Sequence, residues 1–93
     1  MKEFKLSVYT PEKTIFKGNA VSLVVRAEKG YLGVLANHAP LIASLKYGKI
    51  IIKKSSGEAV SIDPSDKGFL EVDRNEATIL LAGSKTKNNK WNT

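Results

Sequence analysis

The chain of 93 residues has no cysteine, one histidine, one tryptophan, one methionine and three prolines. Without cysteine there is no disulfide, no thiolate nucleophile and no thiolate metal ligand. A single histidine, His38, finds neither a second imidazole nor a thiolate to share a zinc ion, so no metal site is expected. Long apolar runs are also missing. Ile50-Ile51-Ile52 and the stretch from Ala77 to Ala82 are far too short to cross a bilayer as a helix, and no transmembrane segment is expected. The opening Met1-Lys2-Glu3-Phe4-Lys5 leads straight into alternating residues with no apolar core of a signal peptide.

Fifteen basic residues against nine acidic ones give a net charge of +6. That excess suits nucleic acid, an anionic membrane face or an acidic protein, and charge alone does not choose among them. Its one local concentration is Lys85, Lys87 and Lys90, in a closing stretch rich in Lys and Asn that reads as a frayed polar tail, 84–93. The length fits one domain, here 1–83, with a modest stability on the order of 5–10 kcal/mol.

Period-two alternation dominates the chain. Phe4, Leu6 and Val8 alternate with Lys5, Ser7 and Tyr9, the pattern of a half-buried strand. Val21, Leu23, Val25 and Ala27 repeat it, and Val24 makes that segment apolar on both faces, as in a central strand. Lys49 to Lys54 with Ala59 to Asp63 reads as one hairpin across Ser55-Ser56-Gly57-Glu58. Phe69 to Asp73 with Ala77 to Ala82 reads as another across Arg74-Asn75-Glu76. Thr14 to Gly18 reads as a short ribbon after the Pro11-Glu12 corner. Strands this short and evenly spaced predict an all-β sandwich or barrel. Pro40 to Leu45 is the best helical candidate, at little more than one turn.

Gly30 to Ile42 breaks the alternation. With two glycines, Pro40 and a high share of aliphatic and aromatic residues, it is expected to be irregular. Gly30, Gly33 and Asn37 suit positive φ. So much apolar surface in such a segment must either plug the core or face a partner.

This segment carries a resemblance. Gly30-x-x-Gly33-x-Leu35-x-x-His38-Ala39-Pro40-Leu41-Ile42, followed by Leu45 and Gly48, resembles the signature of the epsilon subunit of F-type ATP synthases. Leu6 to Thr10 with Pro11, Glu12, Phe16 and Gly18 resembles the family's opening strand. Gly68-Phe69-Leu70-Glu71-Val72 with Ala77-Thr78-Ile79-Leu80 resembles its closing hairpin. Three departures stand out. Asn37 and Lys67 occupy positions where many members carry glycine, and Tyr31 one where a polar or charged residue is common. Longer members add a C-terminal helical hairpin. This sequence, taken as full, resembles the short members, and neither autoinhibition nor ATP binding is expected of it.

The resemblance implies a ten-stranded β-sandwich (a flattened barrel) and a non-catalytic place in the rotor. Such a subunit clamps the gamma subunit to the membrane c-ring, peripheral to the cytoplasmic face of a bacterial plasma membrane, and helps couple ion flow to ATP synthesis. It implies gamma contacts at Thr10, His38, Ala39, Pro40, Leu41 and Ile42, and c-ring contacts at Glu28, Gly30, Tyr31, Leu32 and Gly33. Catalytic residues, cofactors and nucleic acid are not expected. Ser84-Lys85-Thr86-Lys87 fits Ser-x-x-Lys, and Gly83-Ser84-Lys85-Thr86 the end of a P-loop, but only by composition. The rival reading is a nucleic-acid-binding barrel. It falters at Lys67-Gly68-Phe69, where Leu70-Glu71-Val72 then places a carboxylate in the position of a second stacking aromatic.

Overall fold

The computed structural model of the protein describes residues 2–83, so the polar tail and its Ser84–Lys87 motif lie outside the described residues. The β-branched and alternating segments form nine strands, and no helix occurs among the described residues. They are β1 (Phe4–Tyr9), β2 (Thr14–Ala20), β3 (Ser22–Ala27), β4 (Gly30–Leu35), β5 (Leu41–Leu45), β6 (Ile50–Lys53), β7 (Ala59–Ile62), β8 (Gly68–Asp73) and β9 (Glu76–Leu81). The resemblance implies ten. Beyond the nine, the described residues add one isolated bridge, at Pro64.

One continuous sheet runs β2-β1-β9-β8-β5-β3-β6-β7, with β4 hydrogen-bonded to the other side of β3. It folds over at a single weak link. β5 and β3 share only the pair Leu45↔Ala27, so β2-β1-β9-β8-β5 forms one layer and β4-β3-β6-β7 the other. The alternation then sorts side chains without exception at the centre. Phe4, Leu6, Val8, Leu70, Val72, Ala77, Ile79 and Leu81 point in from the first layer, and Leu23, Val25, Val34, Ile50, Ile52 and Ile62 from the second, all buried in one cluster. Both expected hairpins form, and Val24 is central, with Gly33 on one side and Ile51 on the other.

Two expectations about local structure are corrected. Gly30 to Ile42 is mostly regular: Gly30–Leu35 pairs residue for residue with β3, and irregular backbone is confined to 36–40. The helical candidate Pro40–Leu45 is strand, because Leu41, Ala43 and Leu45 meet Val72, Leu70 and Gly68 of β8 and share the interior with them. Ile42 is 77% exposed on the opposite face, and that alternation outweighs helix propensity.

The β8–β9 turn carries a clasp. Arg74 and Asn75 both sit at positive φ (52° and 60°), the backbone of a type I′ turn. Asn75 then ties three segments together. Its Oδ1 accepts from the backbone N–H of Asn37 (2.7 Å), its Nδ2 donates to the Glu3 carbonyl (3.0 Å), and its own carbonyl accepts from Lys5 N–H (3.2 Å). Asn75→Ala removes both side-chain bonds and places alanine in the left-handed region. We expect a loss of about 2–3 kcal/mol, read in a thermal melt as a fall on the order of 10–20 °C. Asn75→Gly relieves only the backbone part and should fall between the two. A melt unchanged in Asn75→Ala would remove the clasp from the account.

Candidate interaction surfaces

The register of the first layer assembles an outward face from four strands. One row across it reads Ser44, Phe69, Leu80, Tyr9, and the next reads Ile42, Glu71, Thr78, Ser7. Phe69 and Leu80 are paired neighbours, each more than half exposed (53% and 54%), and Ile42 stands one row away. These large side chains are out because the strands that carry them bury the alternate residues: Leu70 and Val72 on β8, Ile79 and Leu81 on β9. The result is an apolar strip across this face. Glu71, Asp73 and Glu76 border one end, with Arg74 and Lys5 among them. A shallow groove lined by Pro40, Leu41, Ile42, Glu71, Val72 and Asp73 continues the strip towards the 36–40 loop.

The residues expected to meet gamma lie around this strip, at opposite ends. Thr10 follows Tyr9 at one end, its hydroxyl and backbone both engaged with Lys13 in a tight turn. His38, Ala39 and Pro40 lie at the other, leading into Ile42. His38 is half-buried, and its Nδ1 lies 2.8 Å from the Ala39 carbonyl oxygen. A carbonyl only accepts, so that nitrogen carries the proton. Leu41 turns inward and packs against the core, leaving Ile42 as the exposed member of the pair. Phe69 and Leu80 were not among the expected residues, and neither was Tyr9.

The residues expected to meet the c-ring gather at the β3–β4 turn. Glu28 and Lys29 form a two-residue loop with neither at positive φ, and Gly30, at φ 142°, absorbs the twist instead. Tyr31 is 69% exposed. Gly33 does not need positive φ, contrary to expectation. Nothing lies within 4 Å of a Cβ built there, so it leaves bare strand between the outward Tyr31 and Leu35. Leu32 is half-buried against the core, on the face it shares with Val34.

β5 joins the two surfaces. Glu28 N–H donates to the Ser44 carbonyl (3.2 Å), Lys46 N–H donates to the Arg26 carbonyl (2.9 Å), and the Lys46 ammonium lies 3.5 Å from the Glu28 carboxylate. The ion pair is exposed and contributes little. The two backbone bonds and the Leu45↔Ala27 pairing fix the β3–β4 end to the strand that carries Ile42 and Ser44. Among the described residues no cluster of side chains is arranged to hold a metal, and none forms a nucleophile–base pair.

The family model for the ATP synthase Delta/Epsilon chain β-sandwich domain matches residues 3–84. The chain belongs to that family. The ATP synthase epsilon chain of Leptospira interrogans is 41% identical over 78 residues, which are 84% of this chain and 60% of that protein. This chain therefore spans about 60% of the length of that relative. Two solved assemblies share the fold. A chain of the Euglena gracilis mitochondrial ATP synthase (OSCP/F1/c-ring, rotational state 1) superposes with a TM-score of 0.83 at 18% identity, covering 95% of this chain and 58% of the other. A chain of the Tetrahymena thermophila mitochondrial ATP synthase central stalk and c-ring gives 0.74 at 13%, covering 97% and 69%. The domain is thus an ATP synthase epsilon-type β-sandwich. Among the described residues it has no helix long and apolar enough to cross a membrane.

Proposed function

We propose that this chain is a non-catalytic component of the rotor of an ion-driven ATP synthase, holding the gamma subunit to the c-ring at the cytoplasmic face of the membrane. One observation carries the reading: an apolar strip of exposed Phe69, Leu80 and Ile42, extended by half-buried Tyr9, with Thr10 at one end and His38, Ala39 and Pro40 at the other. Gamma docks on this strip. The β3–β4 end, with Glu28, Gly30, Tyr31 and Gly33 presented and Leu32 behind them, docks on the polar loops of the c-ring. The membership of the family, and a fold shared with chains of ATP synthase assemblies that include the c-ring, support the rotor reading.

The mechanics follow from the layers. A clamp under torque has to resist shear between its two contact surfaces, and it needs neither nucleophile nor general base. β5 carries part of the first surface and is hydrogen-bonded to the end that carries the second, so a load passes through backbone rather than through a flexible side chain. The interdigitated core resists sliding of one layer over the other, since interiors at crystal-like density yield little.

A pull-down of the chain against purified gamma, at low and at moderate salt, tests the reading. Stoichiometric binding that survives moderate salt is expected, because exposed charges are screened on the scale of about 10 Å while apolar contact is not. Indifference to gamma, with nucleic acid recovered instead, would overturn it. The strip itself argues against that outcome. Glu71, Asp73 and Glu76 border the strip that Phe69 and Leu80 form, where a phosphate backbone would have to run.

A further inference from the structure

At the β3–β4 end, Arg26 and Tyr31 are a register pair on the outer face of the second layer, with the guanidinium 5.4 Å from the centre of the tyrosine ring. The geometry of the arginine is set from below. Gly48, at φ 146°, lies so close that a Cβ there would come 2.6 Å from Arg26 Cβ and 3.0 Å from its Cγ, and 3.8 Å from the Tyr31 hydroxyl. Both side chains therefore cross the glycine, and the Arg26 backbone is held by Lys46 N–H. The stem is fixed and the head is stacked.

The charges around it are uneven. Lys46 is matched by Glu28 and Lys49 by Asp63. Among the described residues no carboxylate is paired with Arg26. Cation–π stacking engages one face of a guanidinium and leaves its edge N–H groups, the donors that grip carboxylates in bidentate fashion, available. The exposed ring beside it would exclude water from such a pair when a partner covers it, and that strengthens the attraction.

We propose that the Arg26–Tyr31 pair receives a carboxylate from the polar loops of the c-ring, with Tyr31 as the apolar anchor beside it. This rests on the reading that the β3–β4 end meets the ring, and adds the chemistry by which it does so. The planar guanidinium, stacked on one face and open along its edge, matches the two oxygens of a carboxylate.

The test uses the complex of gamma with this chain, bound to purified c-ring in nanodiscs, at several salt concentrations. Arg26→Gln should weaken ring binding about tenfold and flatten its salt dependence, as loss of a desolvated charge pair does. Tyr31→Ala should weaken it, and Tyr31→Phe, which keeps the ring, should not. The Arg26→Lys variant supplies an amine. A water-soluble carbodiimide should then join that amine to a ring carboxylate as an amide, the carbodiimide taking up the water as its urea, at a site mapped by mass spectrometry. Native affinity and salt slope in Arg26→Gln, with binding weakened in Tyr31→Ala, would overturn the carboxylate contact and leave the docking intact. Native binding in both would overturn the docking as well. The carbodiimide cross-link keeps the question answerable if Arg26→Gln proves unstable.

Discussion

Replacing Phe69 and Leu80 together with aspartate should lower affinity for gamma by at least about 100-fold and leave the fold intact. Full burial of a large apolar side chain contributes about 1.5–3 kcal/mol. Each of these two is already about half covered in the free chain, so docking buries roughly the remaining half, on the order of 1–1.5 kcal/mol apiece. Their sum, near 2–3 kcal/mol, is a factor of roughly 30–150. Two carboxylates that must be desolvated without partners, beside Glu71, add to the loss. The melting temperature should fall by only a few degrees: the two carboxylates face each other across the β8–β9 pair, which costs some stability, while the buried residues of the inner face keep their packing. Isothermal titration of gamma into the variant reads the first quantity and a thermal melt the second. An affinity within a few-fold of native, with the variant folded, would remove this face from the contact map. Ile42→Asp is the milder companion. The double change Leu41→Asp with Ile42→Asp is a poor probe by comparison, since Leu41 packs on the core and a charge there confounds binding with folding.

The strip also shows where sequence reading stops. Period two was enough to place Phe4, Leu6 and Val8 inside and Lys5 and Tyr9 outside, because that decision is local to one strand. The hairpins were legible for the same reason, since a turn and two flanking runs lie within a dozen residues. That Phe69 and Leu80 form one patch depends on the β8–β9 register, and that Tyr9 extends it depends on β1 pairing in parallel with β9, across most of the chain. A one-residue slip in either pairing would scatter the row. Asn75 was invisible for a related reason. An asparagine in a turn is ordinary, and only the fold brings Glu3 and Asn37 to its amide. The inward turn of Leu32 and Leu41 follows from the same alternation. Val34 and Leu45 are apolar at even spacing from them, and once those segments are recognised as strands, both leucines must share the inner face. The glycines and Pro40 made the segment look irregular and hid that pattern.

The same alternation sets the largest expected effect on stability. Ile79→Ala should cost about 4 kcal/mol, whereas Leu80→Ala, one residue on and only half covered, should cost about 1 kcal/mol. Ile79 is fully buried on β9, the strand hydrogen-bonded on one side to β1 and on the other to β8. Its neighbours across those ladders are Val8 and Leu70, both fully buried as well. Three large side chains therefore meet at one level of the core, and none has a route by which to collapse into the space left by three missing carbons. The cost then includes the cavity as well as the lost transfer free energy. In a domain with total stability on the order of 5–10 kcal/mol, a loss of that size should lower the melting temperature by roughly 20 °C. Leu80 sits between the same two strands with the same backbone bonds, so the comparison isolates side-chain burial from ladder geometry. Equal melting temperatures for the two variants would mean that the layer facing inward has been misassigned. Since the two faces of one strand trade places together, the apolar strip assigned to gamma would then have to be the core.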